Sequence, residues 1–265
     1  MLPKTDIVRC KDADYLLFST HDAITSHLRE RGSWESHLVL ITQMFAQGVD
    51  APLILDIGAN LGAYAIPLAR KIAASKGTVY AYEPQRIVYY QLCGNIFLNS
   101  LDNVFAFCMA IGDTDGMIGM PPLDYAKTAN IGGFSLVDDI RDKTNYVVLQ
   151  ENAVPVQTPI SRLDSIKFPK TPSLIKIDVE GFDLNVLAGG VALLERSNFP
   201  PILFEAWNFE WFAGEKRKLF DLLHHLGYEI TSVFADDYVA QHAKHSAHIN
   251  FITDGKGNFN MTRVR

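Results

Sequence analysis

Leu53-Ile54-Leu55-Asp56-Ile57-Gly58-Ala59-Asn60-Leu61-Gly62 is the stretch that decides the fold. The apolar run Leu53 to Asp56 has the length of a strand, and Leu61 to Ala74 carries apolar residues at helical spacing. The glycines between them let the chain turn sharply and bring its backbone close to a ligand. In an open α/β sheet this strand-to-helix turn lies where ligands bind, beyond the carboxyl ends of the strands.

Outward from this turn, strand and helix patterns alternate, as expected of a parallel sheet covered by helices on both faces. Thr78 to Glu83 is the second strand, followed by a helix from Val88 to Asn99, and Asn103 to Ile111 is the third strand. Leu174 to Asp178 and Ile202 to Glu205 supply two more, separated by a helix over Leu184 to Arg196 that the Gly189-Gly190 pair should kink or end. Lys216 to Leu226 is the last helix, stopped at Gly227. Tyr228 to Phe234 and His248 to Thr253 are β-rich with no helix between them, so they are expected to pair antiparallel. The predicted architecture is a doubly wound α/β sheet ending in a hairpin.

Two regions fall outside this rhythm. Residues 1–50 contain an extended stretch at Tyr15 to Ser19 and an amphipathic helix over Glu35 to Ala46, with Ser33 as its expected N-cap, and are read as an extension capping the main domain of residues 51–265. Residues 114–160 are rich in Gly, Pro, Asp and Asn, as binding loops and lids often are.

Composition narrows the function. The 265 residues are 48% hydrophobic and 20% charged, which suits a folded domain, and the formal charge of −6 comes without any basic tract, which disfavours a nucleic-acid partner. Cys10, Cys93 and Cys108 show neither metal nor disulfide spacing. With no signal-peptide pattern and no membrane-length apolar run, a cytoplasmic protein without membrane attachment is expected.

The turn also discriminates between nucleotides. A dinucleotide fingerprint needs glycines at 58, 60 and 63, where this chain has Gly58, Asn60 and Ala63. S-adenosylmethionine has no pyrophosphate to cradle and is compatible with Asp56, Gly58, Asn60 and Gly62, since Asn tolerates a left-handed turn. Glu83, closing the second strand, is placed to accept the hydroxyls of a ribose, in either cofactor.

The glycine loop, Tyr82-Glu83-Pro84, Gly132-Gly133-Phe134-Ser135, Leu163-Asp164 and Ile175-Lys176-Ile177-Asp178-Val179-Glu180-Gly181 together resemble the FkbM family of methyltransferases, from about Leu53 to Glu205. The resemblance implies a class I methyltransferase fold, with a mostly parallel seven-stranded Rossmann-like sheet and an antiparallel C-terminal hairpin. It implies S-adenosylmethionine as methyl donor and, as acceptor, usually an oxygen of a sugar or secondary metabolite, with the amide nitrogen of a peptide also known among similar enzymes. Asp113 resembles the acid that receives the adenine amino group in this fold.

Methyl transfer is an in-line displacement at carbon, so the protein must align a nucleophile, exclude water and accept a proton. Asp178, Glu180 and Glu205 lie at the carboxyl edge of the sheet and are the catalytic candidates, Asp178 also facing the cofactor. Their structural alternatives are an N-cap for Asp178 and a strand-end salt bridge for Glu205. Gly133, Phe134 and Ser135 are expected to contact the acceptor, and Glu35, with His21, Asp22 and Trp34, to close over the site. His242, His245 and His248 recur every three residues but lack companion ligands, and Asp178, Glu180 and Asp183 do not have the spacing of a magnesium site, so no metal is expected. The competing functions are a nicotinamide-dependent oxidoreductase and a non-catalytic adenosylmethionine-binding module. Partners are expected to be the small-molecule or peptide acceptor and a second copy of the chain.

Overall fold

A computed structural model describes residues 3–20, 22–253 and 259–264. The chain opens with a hairpin, β1 (Thr5–Arg9) and β2 (Asp14–Phe18), and two helices, α1 (Ala23–Arg31) and α2 (Ser36–Ala46). The alternating core follows with β3 (Leu53–Ile57), α3 (Ala65–Ile72), β4 (Thr78–Tyr82), α4 (Arg86–Leu98) and β5 (Val104–Phe107). A side excursion comprises β6 (Ala110–Gly112), β7 (Gly116–Met120), α5 (Asp138–Thr144) and β8 (Val156–Arg162). The core resumes with β9 (Leu174–Ile177), α6 (Asp183–Ala188), α7 (Val191–Arg196), β10 (Ile202–Glu205), α8 (Ala213–His225), β11 (Tyr228–Phe234) and β12 (Asp237–His242), and a separate hairpin follows, β13 (Ile249–Thr253) with β14 (Phe259–Arg263).

Seven strands form the main sheet in the order β11-β12-β10-β9-β3-β4-β5, parallel from β5 to β10 and antiparallel at β12 and β11. This is the class I methyltransferase sheet that the resemblance implies. Its central strand β3 is buried at every position, as a parallel strand covered on both faces must be. One apolar layer joins β3, β4 and β9 to α2 and α3, and the other packs α6, α7 and α8 beneath the opposite face.

Four local expectations are corrected. The C-terminal antiparallel partner of β11 is β12, not His248 to Thr253: the turn at Ala235-Asp236, with Ala235 at φ 44°, folds the chain straight back, and β12 is buried enough to sit inside the sheet. The third strand breaks at Cys108 and Met109, where the Met109 N–H bonds back to the Phe107 carbonyl, and β6 leaves to pair with β8. The first helix begins at Ala65 rather than Leu61, because Asn60 and Gly62 hold left-handed conformations that a helix cannot contain. Glu35, not Ser33, occupies the N-cap of α2, without a side-chain capping bond. The Gly189-Gly190 pair separates α6 from α7, as the sequence suggests.

The extension and the excursion meet. Asp22, 3% exposed, accepts from the Thr25 N–H at 3.1 Å, capping α1, and from the Ile131 N–H at 2.7 Å, and the Ala23 N–H donates to the Ala129 carbonyl. Asn95 of α4 accepts from the Leu16 N–H and donates to the Leu61 carbonyl, tying β2 to the glycine turn. Asp115 accepts from the Arg162 backbone and guanidinium and from Ser161 and Ser165, closing the stem of the excursion.

Candidate active site

A cavity of about 300 Å³ opens at the carboxyl edge of the sheet, between the ends of β3, β4 and β9, with the extension and the excursion as its walls. Its floor is the turn after β3. Gly58 at φ 83° is required there, since a Cβ would collide with the Asp178 carbonyl oxygen and Asp178 N–H donates to the Ile57 carbonyl across the same junction. Every N–H of the turn is already bonded within the protein. Gly58 and Ala59 donate to the Tyr82 carbonyl, Asn60 to Glu83, Leu61 to the Asn60 side chain, and Gly62 to the Ala59 carbonyl.

Glu83 lines one side of the cavity, its Oε2 accepting from the Asn60 N–H at 3.0 Å and its Oε1 from the Gln85 N–H at 2.8 Å. Burial pushes its carboxyl up to about 7, against the pull of those two bonds. Each oxygen retains a lone pair for a further donor.

Lys176, inside the Ile175 to Gly181 stretch, joins the site without a role that the sequence pattern alone assigns it. It points from β9 into the cavity at 3% exposure, with its Nζ 2.9 Å from Asp178 Oδ2, 3.7 Å from Asp56 Oδ1 and 3.9 Å from Glu35 Oε2, and 5.3 Å above the centre of the Tyr64 ring. Burial works against its charge, but Asp178, Glu35 and Asp56 together hold the ammonium well above the ordinary lysine range. Burial raises Asp56 to about 6 and Glu35 to about 8, with Lys176 opposing in both.

At the other end, Glu180 and Glu205 line the cavity beside Trp207, Phe209, Tyr146 and Asp236. Burial first, and the neighbouring acids after it, raise both carboxyls well above their usual range. Asp183 is raised likewise by burial, but lies behind the lining with one oxygen unpartnered.

The other sequence candidates divide. Asn60, Asp178 and Phe134 line the cavity, as do Trp34 and Glu35 from the extension. Asp56 is wholly buried beneath it and reaches it through Lys176. Gly62 faces Leu92 and Ile66 instead. Asp113 stands outside the lining and accepts from the Asn185 amide at 3.0 Å. Gly133 packs against Asn130 and Tyr146, and its neighbour Gly132 is the one on the cavity, where a Cβ would overlap the Asn60 amide. Ser135 is fully buried and accepts from the Val137 N–H. His21 lies outside the described residues. His242 stacks on Phe199 at 4.1 Å and accepts from the Lys244 N–H. Among the described residues no helix is long and apolar enough to cross a membrane.

The chain is similar to methyltransferase sdnD of Sordaria araneosa, 26% identical over 68% of this chain and 74% of that protein. It is also similar to the hexuronic acid methyltransferase AglP of Haloferax volcanii, 25% identical over 60% of this chain and 59% of that one. A solved FkbM methyltransferase from Methylobacillus flagellatus superposes with a TM-score of 0.46 at 17% identity, covering 74% of this chain and 46% of the other. The model of the methyltransferase FkbM domain matches residues 56–230, more than half of the chain, and the chain belongs to that family.

Proposed function

We propose that this protein transfers a methyl group from S-adenosylmethionine to an oxygen of a sugar or secondary-metabolite acceptor, or less readily to an amide nitrogen. The observation that carries the proposal is the turn after β3. Its N–H groups from Gly58 to Gly62 are all spent internally, so it offers no nest for a pyrophosphate. A dinucleotide is disfavoured, while a cofactor held through its ribose by Glu83 fits. The relatives named as methyltransferases support the same class, and the hexuronic acid enzyme supports oxygen as the acceptor atom.

The donor, when bound, supplies an electrophilic methyl on a sulfonium. Glu83 takes the ribose hydroxyls, and Gly58 and Asn60 set the turn beneath it. Asp178, pinned by Lys176, borders the cofactor side of the reacting centre. Glu180 and Glu205 face the acceptor, and because burial, and after it the neighbouring acids, raise both, whichever is ionised is a stronger acceptor for the nucleophile's proton than an exposed carboxylate. Phe134, Trp207 and Phe209 exclude water from that step.

Calorimetry with S-adenosylhomocysteine and NADH tests the cofactor: binding of NADH alone would refute the proposal. Incubation of the protein and S-adenosylmethionine with sugar and metabolite fractions, read by mass spectrometry for products heavier by one methylene, identifies the acceptor. On that acceptor, Asp178→Asn, Glu180→Gln and Glu205→Gln should include at least one variant slowed about 10²- to 10⁴-fold with S-adenosylhomocysteine affinity retained. Wild-type rates in all three would place the proton transfer elsewhere.

A further inference from the structure

S-adenosylmethionine carries one anionic group, the carboxylate of its methionyl end, beside an ammonium. An anion at the floor of this cavity has two kinds of donor to choose from, and the backbone is the first. The N–H groups from Gly58 to Gly62 are already bonded to Tyr82, Glu83, Asn60 and Ala59. Side chains are the second. Among the described residues lining the cavity, Lys176 is the only lysine, arginine or histidine, against Glu35, Glu83, Asp178, Glu180, Glu205 and Asp236.

Lys176 also has donors to spare. An ammonium offers three N–H groups, and only Asp178 lies within hydrogen-bond distance, at 2.9 Å, with Asp56 and Glu35 farther off at 3.7 and 3.9 Å. We propose that Lys176 anchors the methionyl carboxylate of the cofactor, with Glu35 and Asp178 on either side receiving its ammonium. This rests on the reading of the cavity as an adenosylmethionine site. Recognition then sets the carboxylate on the lysine ammonium and the ligand's ammonium between two carboxyl groups. Glu35 belongs to the extension and Lys176 to the sheet, so the amino-acid end of the cofactor also joins these two parts of the protein.

The test is calorimetry with three ligands: S-adenosylhomocysteine, its analogue lacking only the carboxylate, and methylthioadenosine, which lacks the whole amino-acid end. The wild-type protein should prefer S-adenosylhomocysteine to the decarboxylated analogue by about 10- to 100-fold, the range of a buried charge-assisted contact. The paired variant Lys176→Met, Asp56→Asn removes the cation together with one buried acid. It should bind the two compounds equally, leave methylthioadenosine affinity unchanged, and thereby separate carboxylate recognition from a structural role. Asp56→Asn alone should keep the preference.

Equal wild-type affinity for S-adenosylhomocysteine and the decarboxylated analogue would overturn the assignment whether or not the variant folds. Parallel loss of all three ligands in a folded variant would overturn it too. Failure of the wild-type protein to bind any of the three would instead refute the adenosylmethionine reading beneath it.

Discussion

Replacing Glu83 with Gln should both weaken cofactor binding and change how it depends on pH. The ionised carboxylate accepts the Asn60 and Gln85 N–H groups and keeps lone pairs for the two ribose hydroxyls. Burial holds the carboxyl at about 7 in the folded protein against the ordinary 4.5. The sign follows from that raised value: the stability this group contributes is fully present below about 4.5 and is lost as the pH rises through about 7. The loss amounts to about 3 kcal/mol at roughly 1.4 kcal/mol per pH unit. Ribose hydroxyls donate to the ionised form, so binding draws the proton off, and affinity should fall about tenfold between pH 8 and pH 6. In Glu83→Gln the amide can accept only one of the two N–H groups, leaving a buried donor unpaired at a cost of about 1–3 kcal/mol. S-adenosylhomocysteine affinity at pH 8 should then drop by about 10- to 100-fold. Asp56 and Glu35 titrate in both proteins, so the ratio of wild-type to variant affinity isolates Glu83. Calorimetry at pH 6, 7 and 8 in buffers of differing ionisation enthalpy measures affinity and proton release together. A ratio constant over that range would refute the role assigned to Glu83.

Other perturbations test the frame around the cofactor. Gly58→Ala forces a Cβ into the Asp178 carbonyl at a φ of 83°, so beyond about 1–2 kcal/mol of left-handed strain it should part β3 from β9; a urea midpoint equal to wild type would contradict this. Asp22→Ala orphans the Thr25 and Ile131 N–H groups, each worth about 1–3 kcal/mol, and should speed S-adenosylhomocysteine release in stopped flow by about tenfold; unchanged release would show that Asp22 does not hold the two walls closed. Phe134→Ala removes a cavity-lining ring braced by the Arg141 guanidinium at 5.1 Å and should raise the acceptor KM while leaving S-adenosylhomocysteine affinity within about twofold, a contact of order 1 kcal/mol; the opposite split would move Phe134 from the acceptor side to the cofactor side.

The sheet was legible because its strands are short, apolar and separated by helices of clear periodicity, and because the Gly58 turn announces its own geometry. What escaped was set by contacts distant in sequence. Nothing local distinguishes Tyr238 to His242 from a loop, since its burial comes from β10 and β11 on either side. The break after Phe107 depends on β8, some fifty residues later, offering β6 an alternative partner. At the site, Asp56 opens the pattern with Gly58, Asn60 and Gly62 that suits adenosylmethionine, yet its side chain turns beneath the floor towards Lys176. The signal for Lys176 was available: a lysine inside the apolar strand Leu174–Ile177 must find carboxylates, and Asp56, directly opposite in register, and Asp178 were both in view. Asp113 lies off the cavity because the third strand, continuous to Ile111 in the sequence pattern, breaks at Cys108 and Met109 and carries the chain away with β6.

The cavity also holds part of its backbone away from the easiest conformation. Glu35, Asn60 and Glu180 all line it and all hold left-handed backbone angles, with φ of 44°, 51° and 54°, at residues that carry side chains. Around them both oxygens of Asp56 lack a hydrogen bond, and Lys176 is outnumbered by the carboxylates that surround it. Such conformations persist only when the surroundings over-determine them. Asn60 is held by Glu83 and by its own side chain, and Glu180 stands in the turn between β9 and α6. Glu35 caps α2 through its carbonyl, which accepts from the Leu38 and Val39 N–H groups, and its carboxylate approaches Lys176 at 3.9 Å across the cavity. That approach adds to the apolar packing of α2 on the sheet and to the 2.7 Å contact of His37 with Asp237, so Lys176 is the point in the cavity where the charge of the extension meets the charge of the sheet.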